Sequence, residues 1–296
     1  MLPPDYATAR SHLAVMEQAT IRPKLFLDTS VCINVASEKI PCDEWRRVRQ
    51  HVEANFSYQI SFITLKELFA KVSRGKDDYF EENKKSLRVL CEFPQPGFLP
   101  YPPVFALRTV LGLPVARRSR LPFPEEERHE TILKAVLQCS GKAQLKAGMP
   151  CPGRPWGVLS FDLDHFDRHE NKAQAEHLSL LQRVRAGSVE MSSGTELASF
   201  LLRDCGQAHD TESCNKLANA LEAAYKFSDN LSKMSNNNKE ANLEKRETDW
   251  GDIMQLYYLC DESMHFLTYD KKCRNQVQSR MQQSRILLYR DLARLV

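Results

Sequence analysis

The sequence is short of several features that would assign it to a common class. No apolar run approaches the ~18 residues that a membrane-spanning helix needs. The first residues show neither the charged nor the apolar segment of a secretory signal. The nine cysteines include no Cys-x-x-Cys pair and are odd in number, which argues against a zinc knuckle and a disulfide framework. These absences predict a cytoplasmic protein with reduced thiols.

Three sequence signatures of enzymes are also missing. The chain has no Gly-x-x-x-x-Gly-Lys phosphate loop and no Gly-x-Ser-x-Gly esterase elbow. Ser30 stands where an Asp-x-Asp phosphatase that starts at Asp28 would need its second aspartate. The net charge of +3 is too small to indicate a nucleic-acid-binding domain by itself. A function must therefore be argued from a local site.

The chain does contain short apolar segments that are typical of buried parallel strands, at residues 25–27, 58–63, 265–267 and 286–289. With 296 residues and 42% apolar content, it can bury one elaborated domain or two small ones. Between residues 93 and 246 the pattern predicts helices near 125–147, 162–186, 195–204 and 211–234, and no strand. A leading helix is predicted from Pro3 to about Thr20. We therefore expect an α/β domain interrupted by a helical insertion.

Acidic residues stand at the ends of these elements. Asp28 ends the first strand, and Asp270 follows the third. Glu67 stands three residues after Thr64, a capping-box spacing that predicts the first turn of a helix beginning at Thr64. Asp252 lies near the start of the helix before the third strand, where Asp249 can cap that helix. Parallel strands joined by helices would bring these carboxylates to one edge of the sheet.

Four carboxylates in one place repel one another and raise each other's pKa unless a cation joins them. Hard divalent cations prefer such oxygen ligands, so Mg²⁺ or Mn²⁺ is the metal ion expected to bind there. One or two ions held in this way can orient a water, lower its pKa and stabilise both oxygens of a displacement at phosphorus. The acids therefore indicate phosphodiester hydrolysis. Any single acid at a strand or helix end is more often a cap or a solvated charge.

The chain resembles the PIN-domain ribonuclease family in three segments. They are Leu25-Phe-Leu-Asp28-Thr-Ser, Thr64-Leu-Lys-Glu67-Leu, and Asp252 followed by Thr268-Tyr-Asp270. The third and fourth acids of that family are commonly about eighteen residues apart, and the spacing from Asp252 to Asp270 favours Asp252 over Asp249. The match covers roughly residues 22–92 and 247–296. The stretch between Glu67 and Asp252 is much longer than a compact PIN domain needs.

This resemblance implies a three-layer α/β/α fold with a central parallel sheet and metal-dependent endonucleolytic cleavage of RNA. The discontinuous domain would comprise residues 1–92 and 247–296, and residues 93–246 would form the mainly helical insertion that covers or flanks the site. The Mg²⁺ or Mn²⁺ ligands and catalytic residues that it implies are Asp28, Glu67, Asp252 and Asp270. It gives supporting roles to the hydroxyls of Thr29, Ser30 and Thr268, while Asp249 stays a cap or an outer-shell residue.

Several alternatives remain beside this interpretation. Lys271, Lys272 and Arg274 follow the fourth acid and could hold RNA phosphates, or could be solvated surface charge. The group of Arg117, Arg118 and Arg120 has the same two interpretations. The same acids would serve a DNA nuclease, and a catalytically inactive PIN-like RNA-binding or assembly module is a further hypothesis. The RNA target, an inhibitor or antitoxin protein as partner, and the oligomeric state stay open.

One other pattern has a metal-like spacing. His165 and His169 stand one helical turn apart, as in zinc sites, but Phe166 occupies the position where His-Glu-x-x-His needs glutamate. We interpret this segment as a solvated helix.

Overall fold

The computed structural model describes residues 22–74, 79–113, 126–150, 158–159, 162–187, 193–204, 206–207, 210–237, 243, 249–277 and 280–296. The leading helix predicted from Pro3 to Thr20 lies outside the described residues, and so does the arginine group at Arg117, Arg118 and Arg120.

The strands are β1 Lys24–Leu27, β2 Ser57–Ile60, β3 Gly97–Phe98, β4 Met149–Pro150, β5 Val158–Leu159, β6 Met264–Thr268 and β7 Ile286–Leu288. Five of them form one sheet in the order β3-β2-β1-β6-β7, and every neighbouring pair is parallel. The short antiparallel pair of β4 and β5 is separate. The predicted α/β class with a central parallel sheet is therefore confirmed.

The helices of the first half are α1 Thr29–Ala36, α2 Cys42–Asn55, α3 Phe62–Arg74, α4 Phe80–Leu90, α5 Pro102–Leu111, α6 Glu126–Gln138 and α7 Lys142–Ala147. Those of the second half are α8 Asp164–Arg185, α9 Gly194–Asp204, α10 Thr211–Ala220, α11 Glu222–Asn237, α12 Asp249–Leu256, α13 Lys271–Gln276, α14 Arg280–Ser284 and α15 Tyr289–Ala293. None of the helices in the described residues is long and apolar enough to cross a membrane.

Two details of the predicted elements were wrong. The strand expected to reach residue 63 ends at Ile60, and α3 already begins at Phe62. Ser61 caps this helix, because the Thr64 N–H donates to Ser61 Oγ at 3.2 Å. The Thr64 hydroxyl instead donates to the Leu27 carbonyl at 2.7 Å, which ties α3 to β1. Glu67 therefore lies in the second turn of α3 and not in the first.

The prediction that residues 93–246 contain no strand was also wrong. Strand β3 pairs with β2 in the main sheet, through Gln59 opposite Gly97 and Ile60 opposite Phe98. It stands in a proline-rich stretch that seemed to exclude regular structure. Strand β3 itself contains no proline, and it lies at the edge of the sheet, where neighbouring prolines interrupt no central ladder of hydrogen bonds.

Helices cover both faces of the sheet, because successive side chains of a strand point to opposite faces. In β1, Leu25 and Leu27 belong to a buried hydrophobic cluster that includes residues of α1, α2, α4 and α6. Phe26 belongs to a second cluster, with residues of α5, α9, α10 and α11. Helices from the predicted insertion therefore complete the core on both faces.

The parallel register brings distant parts of the chain to one edge. Leu27 stands opposite Leu267, so β1 and β6 reach their carboxyl ends together. Asp28 follows β1 at once, and Asp270 follows β6 after one intervening residue. Ligand sites of open α/β sheets lie at this edge.

Candidate active site

A cleft of about 470 Å³ opens at the carboxyl edge of the sheet. The acids Asp28, Glu67, Asp252 and Asp270 all line it, together with Thr29 and Ser30. The structure thus brings together the four carboxylates that the order of strands and helices predicts at this edge. Their role as metal ligands remains a prediction.

Asp28 is held by three donors at the end of β1. Its side chain is buried, and Oδ2 accepts hydrogen bonds from the hydroxyls of Ser30 and of Thr268, the latter at 2.8 Å. Oδ1 accepts a hydrogen bond from Gln255 Nε2 at 3.2 Å. The carboxylate is therefore fixed from α1, β6 and α12 at once. Thr268 also accepts the backbone N–H of Asp270 at 3.0 Å, which links the first acid to the fourth.

Glu67 reaches the cleft from α3, and its orientation depends on two close neighbours. The Thr29 hydroxyl donates a hydrogen bond to Glu67 Oε2. The other oxygen packs against Gly251, where an added Cβ would stand 2.1 Å from Glu67 Oε1. Gly251 thus leaves the space that the Glu67 carboxylate occupies, a role that its position beside Asp252 did not reveal.

Asp252 and Asp270 lie at the starts of two helices. Asp252 is half-buried in the first turn of α12. Asp270 is exposed and caps α13, with Oδ1 accepting the Lys272 N–H at 2.7 Å. Asp249, predicted as a cap or outer-shell residue, is the first residue of α12, and its buried carboxylate forms an ion pair with Lys272.

Burial and mutual repulsion act on these carboxyl groups. Burial raises the pKa of Asp28 more than its three hydrogen bonds lower it. The pKa of Glu67 is raised well above its ordinary value, first by burial and then by Glu170, with smaller effects of Asp28 and Asp252. The pKa of Asp252 is also raised well above its ordinary value, first by burial and then by the nearby carboxylates of Asp28, Asp249 and Asp270. Burial therefore disfavours the charged form of all three groups, and neighbouring carboxylates add to this effect for Glu67 and Asp252.

Two residues of α8 complete the wall opposite α3, and the sequence did not identify either. Glu170 and Gln174 line the cleft, and Gln174 Nε2 donates to Glu170 Oε1 at 3.0 Å. Glu170 also forms a buried ion pair with Lys66 Nζ at 2.7 Å. The helix that carries Glu170 was recognised, but a solvated face was expected where the structure has this pair. Within the described part of α8, Glu170 differs from its exposed polar neighbours because it lies where α8 packs against α3, and the sequence does not show this.

Comparisons with models of protein families, with curated proteins and with solved structures find no match to this chain. The function therefore has to be argued from the site itself.

The basic residues that the sequence offered either as possible phosphate contacts or as solvated surface charge do not line the cleft. Lys272 is paired with Asp249, Arg274 is paired with Asp291 at 3.1 Å, and Lys271 is exposed on α13. All three are in the described part of the chain, and none of them lines the cleft. The cations that do line it are Lys71 and Arg74, both on α3.

The donor set of the cleft suits a hard divalent cation by its chemistry. Carboxylate oxygens are the preferred ligands of Mg²⁺ and Mn²⁺, and hydroxyl groups already orient two of the four acids. Within the described residues, no group of three or more His, Cys, Asp and Glu side chains is placed so that it could hold a metal ion. The four acids are thus gathered in one cleft without forming a closed set of ligands. The ring centroids of His165 and His169 on α8 are 5.6 Å apart.

Proposed function

We propose that this chain is a Mg²⁺- or Mn²⁺-dependent endoribonuclease with a PIN-like α/β/α domain. That domain would comprise residues 1–92 and 247–296 together with strand β3, and the helices of residues 93–246 would be its insertion. One observation supports the proposal above the others. The four acids named by the family resemblance line a single cleft at the carboxyl edge of a parallel sheet.

Asp28, Glu67, Asp252 and Asp270 would hold the cation. A bound Mg²⁺ or Mn²⁺ supplies Lewis-acid stabilisation of the charge that develops on the phosphate oxygens during hydrolysis. It would also favour the charged forms of Glu67 and Asp252, whose pKa is raised first by burial and then by neighbouring acids.

The hydroxyl groups prepare the carboxylates for this role. Ser30 and Thr268 donate to the same oxygen of Asp28, which fixes the plane of that carboxylate before any ligand arrives. Thr29 does the same for Glu67. An ionised carboxylate has about four lone-pair sites, so one that accepts two or three hydrogen bonds can still bind a cation. Supporting residues of this kind position ligands, and their loss typically costs ~10–100-fold in metal affinity or activity.

The test is cleavage of end-labelled RNAs, single-stranded and structured, with Mn²⁺, Mg²⁺ or EDTA, beside matched DNA strands. We expect cleavage with either metal and none with EDTA, and loss of cleavage in Asp28→Asn and Asp252→Asn. Asp43→Asn is the matched control, because Asp43 lies on the exposed face of α2. Products with 5′-phosphate and 3′-hydroxyl ends are expected from the family resemblance.

Two results would overturn the proposal. One is metal-dependent cleavage that Asp28→Asn leaves unchanged, which would indicate a contaminating nuclease. The other is RNA binding without cleavage or Mn²⁺ uptake, which would indicate the catalytically inactive RNA-binding or assembly module. Cleavage of DNA alone would replace RNA by DNA as the substrate.

A further inference from the structure

One face of helix α3 carries an acid of the candidate site followed by two basic residues. Glu67, Lys71 and Arg74 are spaced four and three residues apart, which places them on one face of the helix. All three line the cleft. With a rise of about 1.5 Å per residue, Lys71 stands about 6 Å along the helix axis from Glu67. The cleft therefore has an acidic end at the sheet and a basic end farther along α3.

The guanidinium group of Arg74 already has partners within the protein. Its Nε forms an ion pair with Asp167, and its Nη2 donates to Asn171 Oδ1 at 2.9 Å. Both partners belong to α8, so Arg74 joins the two helices that wall the cleft. The charge of Glu170 on the opposite wall is likewise matched by Lys66 at 2.7 Å.

Lys71 differs from these residues. In the part of the chain that the structure describes, its ammonium group makes no ion pair and no hydrogen bond. Among its neighbours, Glu82 and Cys32 favour the charged form of Lys71 and Lys39 opposes it, and the carboxylate of Glu82 is itself paired with Lys85 at 2.6 Å. A half-buried lysine without a partner is costly unless an anion joins it, because burial disfavours its charged form.

We propose that Lys71 binds a backbone phosphate of the substrate, next to the phosphate that reacts at the acids. This inference rests on the proposed function for the identity of the substrate, a polynucleotide. Such a chain carries one negative charge per nucleotide, so a strand held at the acidic end presents further phosphates along the cleft. Lys71 is a binding residue in this scheme and takes no part in proton transfer. Arg74 and α8 hold the wall against which the strand lies.

The test is RNA binding measured by fluorescence anisotropy, with a labelled oligonucleotide in EDTA at several KCl concentrations. Lys71→Met keeps the length of the side chain and removes the charge. We expect its affinity to fall roughly tenfold, as for a lost hydrogen bond to a charged group. The slope of log K against log salt should fall by about 0.7, the value for one phosphate contact on a single strand. Lys71→Arg should restore both, and Lys172→Met, on an exposed part of α8, should leave both unchanged.

A thermal melt shows whether Lys71→Met remains folded, and Lys71→Arg provides the second variant if it does not. In cleavage assays the loss of Lys71 should raise KM and leave kcat nearly unchanged, with unaltered Mn²⁺ affinity. Native affinity and salt slope in Lys71→Met, or no RNA binding by the wild-type protein, would overturn this inference. Binding that depends on Lys71 without metal-dependent cleavage would overturn the nuclease and leave the phosphate site standing.

Discussion

The carboxylate of Glu67 packs against the backbone of Gly251, so closely that a Cβ at residue 251 would stand 2.1 Å from Glu67 Oε1. The two residues come from helices that approach the cleft from different parts of the chain, α3 and α12. No side chain larger than hydrogen fits there unless Glu67 moves. The position of one acid therefore depends on a residue that has no functional group.

Gly251→Ala should displace Glu67 and weaken the metal site. We expect Mn²⁺ affinity in calorimetry and cleavage to fall by at least about tenfold, the lower range for a disturbed ligand shell. Stability should not fall in parallel, because alanine favours a helix over glycine by about 1 kcal/mol. Gly194→Ala is the matched control, since residue 194 begins α9 and its added Cβ meets nothing nearer than 3.6 Å. Equal Mn²⁺ affinity in both variants would contradict this role of Gly251.

Thr268→Val should uncouple Asp28 from Asp270. The valine keeps the shape of the fully buried threonine but loses the donor to Asp28 and the acceptor for the Asp270 N–H. We expect a loss of about 1–3 kcal/mol in the free energy of unfolding, measured in urea. Cleavage should fall ~10–100-fold. Thr268→Ser, which retains the hydroxyl, should stay close to wild type in both measurements.

Without divalent cations, Asp252→Asn should stabilise the protein increasingly as the pH rises. The ordinary pKa of aspartate is 3.8, and the folded protein raises that of Asp252 well above this value. The folded state therefore holds the proton longer than the unfolded state, so the contribution of Asp252 to wild-type stability falls from about pH 4 up to the raised pKa. Asparagine has no such titration, so the difference in Tm between variant and wild type should widen over that range.

Two comparisons isolate this effect. Burial lowers the pKa of His177 and His265, which gives the opposite trend with pH, but it does so in both proteins and cancels in the difference. Adding Mn²⁺ above the raised pKa should stabilise the wild type and reverse the order, because a ligand that binds only the folded state stabilises it. A Tm difference that is constant with pH would contradict a raised pKa of Asp252 in the folded protein.

Breaking the pair of Lys66 and Glu170 should detach α8 from α3. Both side chains are more than nine-tenths buried, and removal of one partner leaves an uncompensated charge. Lys66→Met should cost about 3–5 kcal/mol of unfolding free energy in urea. The double variant Lys66→Met with Glu170→Met should recover most of this loss. If the two single losses simply add, the pair is not coupled and the α8 wall is held by other contacts.

The sequence was sufficient to predict the α/β class, four of the five sheet strands and the gathering of four acids. Strong apolar segments and the parallel topology determine these features. Strand β3 was not predicted because two residues are too few to show a period. The capping role of Ser61 was missed because Thr64 offered the more familiar spacing, and Thr64 proved to bond to β1.

The details of the cleft depend on tertiary contacts that sequence patterns do not encode. Gln255 stands one turn after Asp252, among the apolar residues that end α12, and this polar exception was the available sign of its bond to Asp28. Lys272 could not be distinguished from a phosphate contact until its partner Asp249 was seen to be buried. Glu170 enters the site because α8 packs along α3.

The central position of β1 has a consequence for synthesis on the ribosome. Its neighbour β6 comes late in the chain, and the bond between Thr268 and Asp28 spans 240 positions. At ~5–20 residues per second, translation takes on the order of ten seconds or more to cover that distance. During this time one edge of β1 lacks its partner and the acids remain apart. Under the proposed function, the four acids would be assembled only at a late stage of synthesis, so an unfinished copy would lack the complete site needed to cleave the message from which it is being read.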